Sequence, residues 1–193
     1  YKIIDFMIEK TLVLIKPDGV YRTLIGKIIS KFEDAGLKVV ALKLVSPPKQ
    51  QVEVHYAADE AWLKSVGAKA IASYKEKGIE VSQTDLEIGN KVREQLLEYL
   101  TGKPVVAMVI EGNNAVFIVR KIVGSTEPRT ADPSSIRGAY TSDSYDLADM
   151  SGRAVKNIIH ASGTIQEAQR EISIWFSNDE IVEYKRADEN IIY

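Results

Sequence analysis

The stretch Asn157-Ile158-Ile159-His160-Ala161-Ser162 places one of the chain's two histidines at the end of an apolar run. Free imidazole titrates near pH 6.5, so a useful fraction is neutral at pH 7 and keeps a lone pair on one ring nitrogen. Such a side chain can take up a transferable group and release it again. Taken alone, a histidine satisfied by hydrogen bonds at a strand end is the plainer reading, so its company decides. Lys16, Arg120, Arg129 and Arg137 stand near strand and helix ends, and Lys and Arg offer point charge and bidentate donors that suit phosphate oxygens. Lys16 follows an apolar run directly and precedes Pro17-Asp18-Gly19, read as a rigid turn, while Arg137 sits among small residues. Arg129 reads as a solvated surface charge. Familiar phosphate and hydrolase signatures fail: six residues separate Gly19 from Gly26 where a P-loop needs four, and Ile28 follows Lys27 in place of Ser or Thr. No G-x-G-x-x-G follows a strand and no G-x-S-x-G occurs, so dinucleotide binding and serine hydrolysis have no anchor.

The elements that must position these residues belong to one domain over residues 1–193, with 45% hydrophobic and 27% charged residues. A formal net charge of -2 gives no global attraction to nucleic acid or anionic membrane, so any phosphate binding is local. Zero cysteines exclude disulfides, thiolate metal sites and cysteine nucleophiles and suit a reducing compartment, and two histidines rule out a multi-histidine metal site. No apolar run approaches the roughly 20 residues of a membrane helix. Tyr1 to Lys10 carries Asp5 and Glu9, unlike the basic start of a signal peptide. The expected setting is cytoplasmic, with no membrane partner. Met7 reads as a natural start behind a short extension, Tyr1 to Phe6.

Thr11 to Ile15 reads as a buried strand, Ile25, Ile28, Ile29 and Phe32 as a helix stopping at Gly36, and Leu37 to Val45 as a second strand. After Pro47-Pro48 a short helix through Val52 and Tyr56 leads to a weakly amphipathic one over Asp59 to Lys77, with Trp62, Val66 and Ile71. Asp85 is expected to cap a firmer helix through Ile88, Val92, Leu96 and Leu100 to Gly102. Pro104 to Ile110 is a buried strand, and Ala115, Val119, Ile122 and Val123 form a helix closed at Gly124. Ser125 to Tyr145 reads as a long loop, of the kind that is functional or disordered. Ala154 to Ile159 is expected as the last strand. Thr164-Ile165-Gln166-Glu167 is a capping box, opening a helix with Ala168, Ile172, Trp175 and Phe176 inward. The tail from Asp179 to Tyr193 is expected to pack along the surface. This alternation by itself fits a parallel doubly wound sheet as well as an antiparallel one.

Four segments in register carry a resemblance: Thr11-Leu12-Val13-Leu14-Ile15-Lys16-Pro17-Asp18-Gly19-Val20, Gly124-Ser125-Thr126-Glu127-Pro128, Ser135-Ile136-Arg137-Gly138 and Asn157 to Ser162. Together the chain resembles nucleoside diphosphate kinase, over roughly Lys10 to Tyr56 and Glu94 to Tyr193. The resemblance implies an α+β, ferredoxin-like core: a four-stranded antiparallel sheet with helices over one face. It implies a ping-pong γ-phosphoryl transfer, in which a nucleoside triphosphate phosphorylates His160 and a nucleoside diphosphate then takes the group. By the same resemblance Glu171 orients the His160 ring and Ser162 hydrogen-bonds beside it. Lys16, Tyr56, Arg120, Thr126 and Arg137 surround the phosphates, and Asn157 lies near the ribose hydroxyl. Mg²⁺ would be held chiefly by the nucleotide's phosphates and water. Self-association, as a homohexamer, is implied too, with Ile191-Ile192-Tyr193 available for subunit contact. Alone, Glu171 reads as a solvated helix face, Tyr56 as a core aromatic and Thr126 as a turn residue. His55 matches no catalytic position and reads as structural.

The chain also departs from the family. Ala161 and Ser162-Gly163 follow the histidine where Gly and Ser-Asp are common, and Arg137-Gly138-Ala139-Tyr140 replaces Arg-Gly-Asp-Phe. Two stretches read as insertions, about residues 59–91 and 141–152. Counting back from Pro104 places Val92 and Leu96 at the base-contact positions, where an aromatic usually stacks; Trp62 and Tyr74 are the candidate substitutes. Base selectivity is therefore expected to be broad. The competing classes are a nucleotide-binding module without transfer activity and, more distantly, a sequence-specific DNA reader, which the acidic balance opposes.

Overall fold

A computed structural model describes residues 8–76 and 78–192. Strand β1 (Ile8–Ile15) lies at the centre of a four-stranded sheet of order β2-β3-β1-β4, with β2 Lys38–Val45, β3 Val105–Asn113 and β4 Ile159–Ala161. Every pairing is antiparallel, which decides against a parallel doubly wound sheet.

Leu12 to Ile15 and Val105 to Ile110 are buried without a break. A strand buried at successive positions has both its faces covered, since neighbouring side chains point to opposite sides. Val13, Ile15, Met108 and Ile110 pack with Ile28 and Phe32 of α2 (Ile25–Asp34) and Val119 of α6 (Ala115–Val123). Leu12, Leu14, Ala107 and Val109 pack on the other side with Val52 of α3 (Lys49–His55), Leu97 and Leu100 of α5 (Asp85–Leu100) and Trp175 of α9 (Ile165–Trp175). Helices thus cover both faces, which corrects the expectation of one. At about 0.8 kcal/mol per buried methylene, these two layers are the main favourable term in the fold.

Local corrections have physical causes. The Pro17-Asp18-Gly19 turn is the start of helix α1 (Pro17–Tyr21), with Lys16 at the N-cap and Pro17 in the first turn, where its missing N–H is harmless. Thr84, and not Asp85, caps α5, its hydroxyl accepting from Glu87 N while the Glu87 carboxylate returns to the Thr84 amide. Helix α4 (Glu60–Glu76) buries Leu63 and Gly67 against α5, whereas Trp62, Val66 and Ile71 are half-buried. The 125–145 loop contains a 3-10 turn and helix α7 (Ile136–Tyr140), and it runs into α8 (Tyr145–Met150). At α9 only half of the capping box forms: Thr164 accepts from Glu167 N at 3.1 Å, but the Glu167 carboxylate takes the Gly163 N–H at 2.6 Å.

The expected strand at Ala154 to Ile159 shrinks to Ile159–Ala161 because Ile158 has φ 54, a left-handed value that a β-branched residue strongly disfavours. Ile159 N bonds back to Asn157 O at 2.7 Å, a tight turn centred on Ile158. Three anchors hold it there. Ile158 N donates to the Asp18 carboxylate at 3.1 Å, Lys16 N donates to Ile158 O at 2.8 Å, and Gly19 lies so close that a Cβ would stand 3.0 Å from that oxygen. The tail does pack on the surface, along the edge of β2: Val182 N donates to Val40 O and the Tyr184 hydroxyl to Val39 O. A short helix, Glu189–Ile192, ends it, with Ile191 exposed; Tyr193 and the Tyr1 to Met7 start lie outside the described residues. Among the described residues no helix is long and apolar enough to cross a membrane.

Candidate active site

In the β1–β4 ladder His160 lies opposite Leu14. Directly paired residues point to the same face, so His160 follows Leu14 toward α3, α5 and α9. On α9, Ala168, Glu171 and Trp175 recur at spacings of three and four and are buried on that same side. Glu171 therefore meets His160: its Oε2 is 2.9 Å from His160 Nε2 and accepts the Ser162 hydroxyl at 2.6 Å. Burial alone would push the Glu171 carboxyl up; the His160 ring and its hydrogen bond, with His55 and Ser162, outweigh that and hold it down to about 2. An ionised acceptor on Nε2 fixes a proton there and leaves the Nδ1 lone pair free. The His160 side chain is 18% exposed.

His55 backs this pair. Its ring meets the His160 ring edge-on at 4.8 Å, and its Nδ1 accepts the Trp175 Nε1–H at 3.3 Å. A nitrogen that accepts from indole carries no proton, so the His55 proton is on Nε2. Burial, and next the neighbouring His160, lower the His55 pKa to about 3, which keeps it neutral. Tyr56 is buried beside both rings, 6.5 Å from His160, and burial raises its phenol pKa. Trp62 stacks on Tyr56 at 6.3 Å and 29°.

The cations form the neighbouring wall. Lys16, 4% exposed, donates to Asn157 Oδ1 at 2.8 Å and lies over the Tyr99 ring at 5.1 Å. The Asn157 amide then donates to Thr126 O at 2.9 Å. Arg137 reaches through α7 to three carbonyls, Asn157 O at 3.3 Å, Gly124 O at 2.9 Å and Ile159 O at 2.7 Å. Arg120, in the last turn of α6, donates to Ala161 O at 3.4 Å. The acceptors of these bonds are neutral. Burial, then Arg137, lower the Lys16 pKa to about 7; burial, then Arg120, lower that of Arg137 to about 10.

His160, Glu171, Ser162 and Tyr56 thus form one contiguous cluster, and Lys16, Asn157, Thr126, Arg137 and Arg120 a second beside it. Thr126 contributes its carbonyl, its side chain being exposed. Arg129 pairs with Asp146 at 2.9 Å and is exposed, as its sequence reading held. Val92 and Leu96 stand half-buried on α5 at i and i+4, with Leu96 against the apolar core; the hydrogen bonds of the two clusters do not include them. Tyr74 is near Asp149, whose charge helps raise its phenol pKa after burial, whereas Trp62 lies beside the site. Two neighbours escaped sequence reasoning. Asp18 fixes the turn before His160, and its signal was its place beside Lys16; Tyr99 supplies the face under the Lys16 ammonium, but sits on a helix where an aromatic reads as core.

The nucleoside diphosphate kinase family model matches residues 9–82 and 85–181. A nucleoside diphosphate kinase of Pyrobaculum aerophilum is 47% identical over 181 residues, 91% of this chain and 99% of the relative. One of Archaeoglobus fulgidus is 38% identical over 96% of this chain and 97% of its own length. The crystal structure of the NDP kinase from Pyrobaculum aerophilum superposes with a TM-score of 0.88 at 46% identity, covering 91% of this chain and all of that one. A transition state mimic of the Borrelia burgdorferi nucleoside-diphosphate kinase with bound vanadate and ADP matches at TM-score 0.77 and 35% identity, over 95% of each chain. Fold and relatives together define a phosphotransferase. The chain belongs to the nucleoside diphosphate kinase family, and its reaction moves a phosphoryl group from a nucleoside triphosphate to a nucleoside diphosphate.

Proposed function

We propose that His160 carries the phosphoryl group, through Nδ1, in a ping-pong cycle. The observation that supports this most directly is the 2.9 Å contact between His160 Nε2 and Glu171, which in the neutral ring puts the proton on Nε2 and leaves Nδ1 its lone pair. Attack by Nδ1 forms the N–P bond as the bond from the γ-phosphorus to the bridging oxygen breaks; the electron pair leaves with the diphosphate, and no proton need move. A second diphosphate reverses these steps with its terminal oxygen. Lys16, Arg120 and Arg137 stabilise the charge on the phosphates, with Tyr56 and Thr126 beside them and Asn157 at the ribose hydroxyl; positioning and charge are most of what phosphoryl transfer asks of a protein. In the Borrelia burgdorferi enzyme, ADP and vanadate are bound together, in keeping with such a pocket.

Mg²⁺ fits this site through the nucleotide. The pocket offers cations and amides, while Glu171 is committed to His160 and Ser162 and Asp18 Oδ2 to Ile158 N; phosphate oxygens and water would hold the ion, which neutralises phosphate charge when bound. Val92 and Leu96 are assigned to the base by apolar contact, which leaves selectivity broad: steady-state rates for four different diphosphates should agree within about tenfold, and a strong preference for one would refute the assignment. Assembly as a homohexamer, measurable by light scattering, and a cytoplasmic setting, resting on the cysteine-free sequence, complete the reading. The decisive experiment is incubation with γ-labelled ATP and Mg²⁺. An acid-labile phosphohistidine should form on the wild type and be absent from His160→Ala; a wild type that takes up no label defeats the proposal.

A further inference from the structure

Residues 141–152, which read in the sequence as an addition, join the Glu127–Arg129 segment to Lys156, on either side of the proposed phosphate pocket. On one side Tyr145 N donates to the Glu127 carboxylate at 3.0 Å, Arg129 pairs with Asp146 at 2.9 Å, and Arg129 N donates to Asp143 O at 3.2 Å. Glu127 follows Thr126 directly. On the other side the Asp143 carboxylate takes both terminal nitrogens of Arg153, at 2.7 and 3.0 Å, and the Lys156 N–H at 2.6 Å, while the Thr141 hydroxyl donates to Lys156 O at 3.2 Å. Lys156 precedes Asn157 directly. Asp143 is 8% exposed, and despite its burial the Arg153 guanidinium and these N–H donors keep its carboxyl below the ordinary range.

The sides it joins are those that meet in the Asn157 amide, which holds Lys16 Nζ on one side and Thr126 O on the other. Ile158 is held in a left-handed turn immediately after, so the backbone leaving Lys156 has little freedom to drift without moving Asn157. A bidentate guanidinium–carboxylate pair fixes direction as well as distance. We infer that Asp143 is a positioning residue for nucleotide binding: it anchors Lys156 and the Glu127–Arg129 loop together and so sets the placement of Asn157, Lys16 and Thr126 around the nucleotide. Asp143 acts through these residues and does not touch the reacting atoms. The inference rests on the phosphohistidine reading above.

Its test is the half-reaction, the rate of phosphohistidine formation against ATP concentration. With Asp143→Asn, half-saturation should rise about tenfold while the limiting rate stays within about threefold, because geometry for binding is lost and the nucleophile with its orienting acid is intact. Arg153→Lys, which keeps charge and loses the two-pronged contact, should fall between. If Asp143→Asn folds and half-saturation is unchanged, the inference is overturned while the proposed reaction stands; a lower limiting rate in step with a lost folded fraction, at unchanged half-saturation, overturns it equally. Should Asp143→Asn fail to fold, Arg153→Lys decides alone, a raised half-saturation upholding the role and an unchanged one ending it. A wild type without label removes both readings, and is told apart by that.

Discussion

Two lysines stand at opposite ends of one sheet and have opposite chemistry. Lys38 opens β2 and faces Glu111 on β3, which in turn faces Lys10 on β1, so the three make a row of alternating charge across the strands. Its ammonium lies 2.7 Å from Glu111 and 3.0 Å from Glu189, and those carboxylates raise its pKa. Lys16 closes β1, is buried, and among the described residues bonds a neutral amide with no carboxylate within ion-pair distance. Arg137 beside it takes three carbonyls. One end of the sheet has its charge balanced within the chain; at the other, Asp18 only partly offsets the burial and the Arg137 charge that lower the Lys16 pKa. Buried charges are otherwise expensive, so an imbalance kept at one end marks where a ligand completes the structure.

Replacing the two lysines in turn gives the widest separation. Lys16→Met should lower phosphohistidine formation by about 10²- to 10³-fold, the range for loss of one preorganised charge at a transition state. Because the neutral side chain suits a buried site at least as well, the melting temperature should hold or rise. Rapid-quench labelling and a thermal melt measure the two quantities, and a Lys16→Met enzyme with near-normal labelling would remove Lys16 from the phosphate pocket.

The contrast in pKa gives a smaller effect, read through pH. With Lys16 lowered to about 7 in the free protein, the charged form that attracts phosphate is lost as pH rises above 7. Apparent affinity for a non-hydrolysable triphosphate should then fall by up to tenfold per pH unit in that range, and Lys16→Arg should flatten the profile, since guanidinium stays charged. Stability runs the other way. The unfolded chain holds this proton up to about 10.5 and the folded chain only to about 7, so the unfolded state binds more protons in between and Lys16 makes folding more favourable as pH climbs through that window. Calorimetric affinities at pH 6.5, 7.5 and 8.5 test the sign.

How far these sites could be read beforehand follows from the length of the signals. Thr11 to Ile15 is an unbroken apolar run and Ala168, Ile172 and Trp175 repeat at helical spacing, so Lys16 after a strand and the inward face of α9 were legible, whereas Glu171 read alone as a solvated position and only the resemblance gave it a role. Helices α7 and α8 have 5 and 6 residues, too few to display a helical period; α7 hid inside what read as a loop and α8 inside what read as an insertion. Ile158 was opaque for another reason. Its left-handed backbone is imposed by Asp18, 140 positions away, and isoleucine in an apolar run argues for a strand by every local rule. The same long-range contact cut β4 to its three residues. Coverage of both sheet faces was present in the unbroken apolar runs, which alternate too little for a strand with one side in water.

Lys38 predicts the smallest effect and tests the other half of the comparison. Lys38→Met removes a cation that two carboxylates share, yet Glu111 keeps Lys10 at 3.1 Å and Glu189 lies at the surface, 22% exposed. The loss should be about 1 kcal/mol, as for partly exposed pairs in a network, which is roughly 2–4 °C in melting temperature for a chain of this size. High salt should shrink the difference from wild type by screening. Labelling of His160 should stay within about twofold, because the Glu111 row lies at the far end of β1 from Lys16 and shares no hydrogen bond with the His160 or Lys16 clusters. If Lys38→Met instead slowed labelling as Lys16→Met does, the two ends of the sheet would be coupled, and charge balance at one end could no longer be treated as independent of charge deficit at the other.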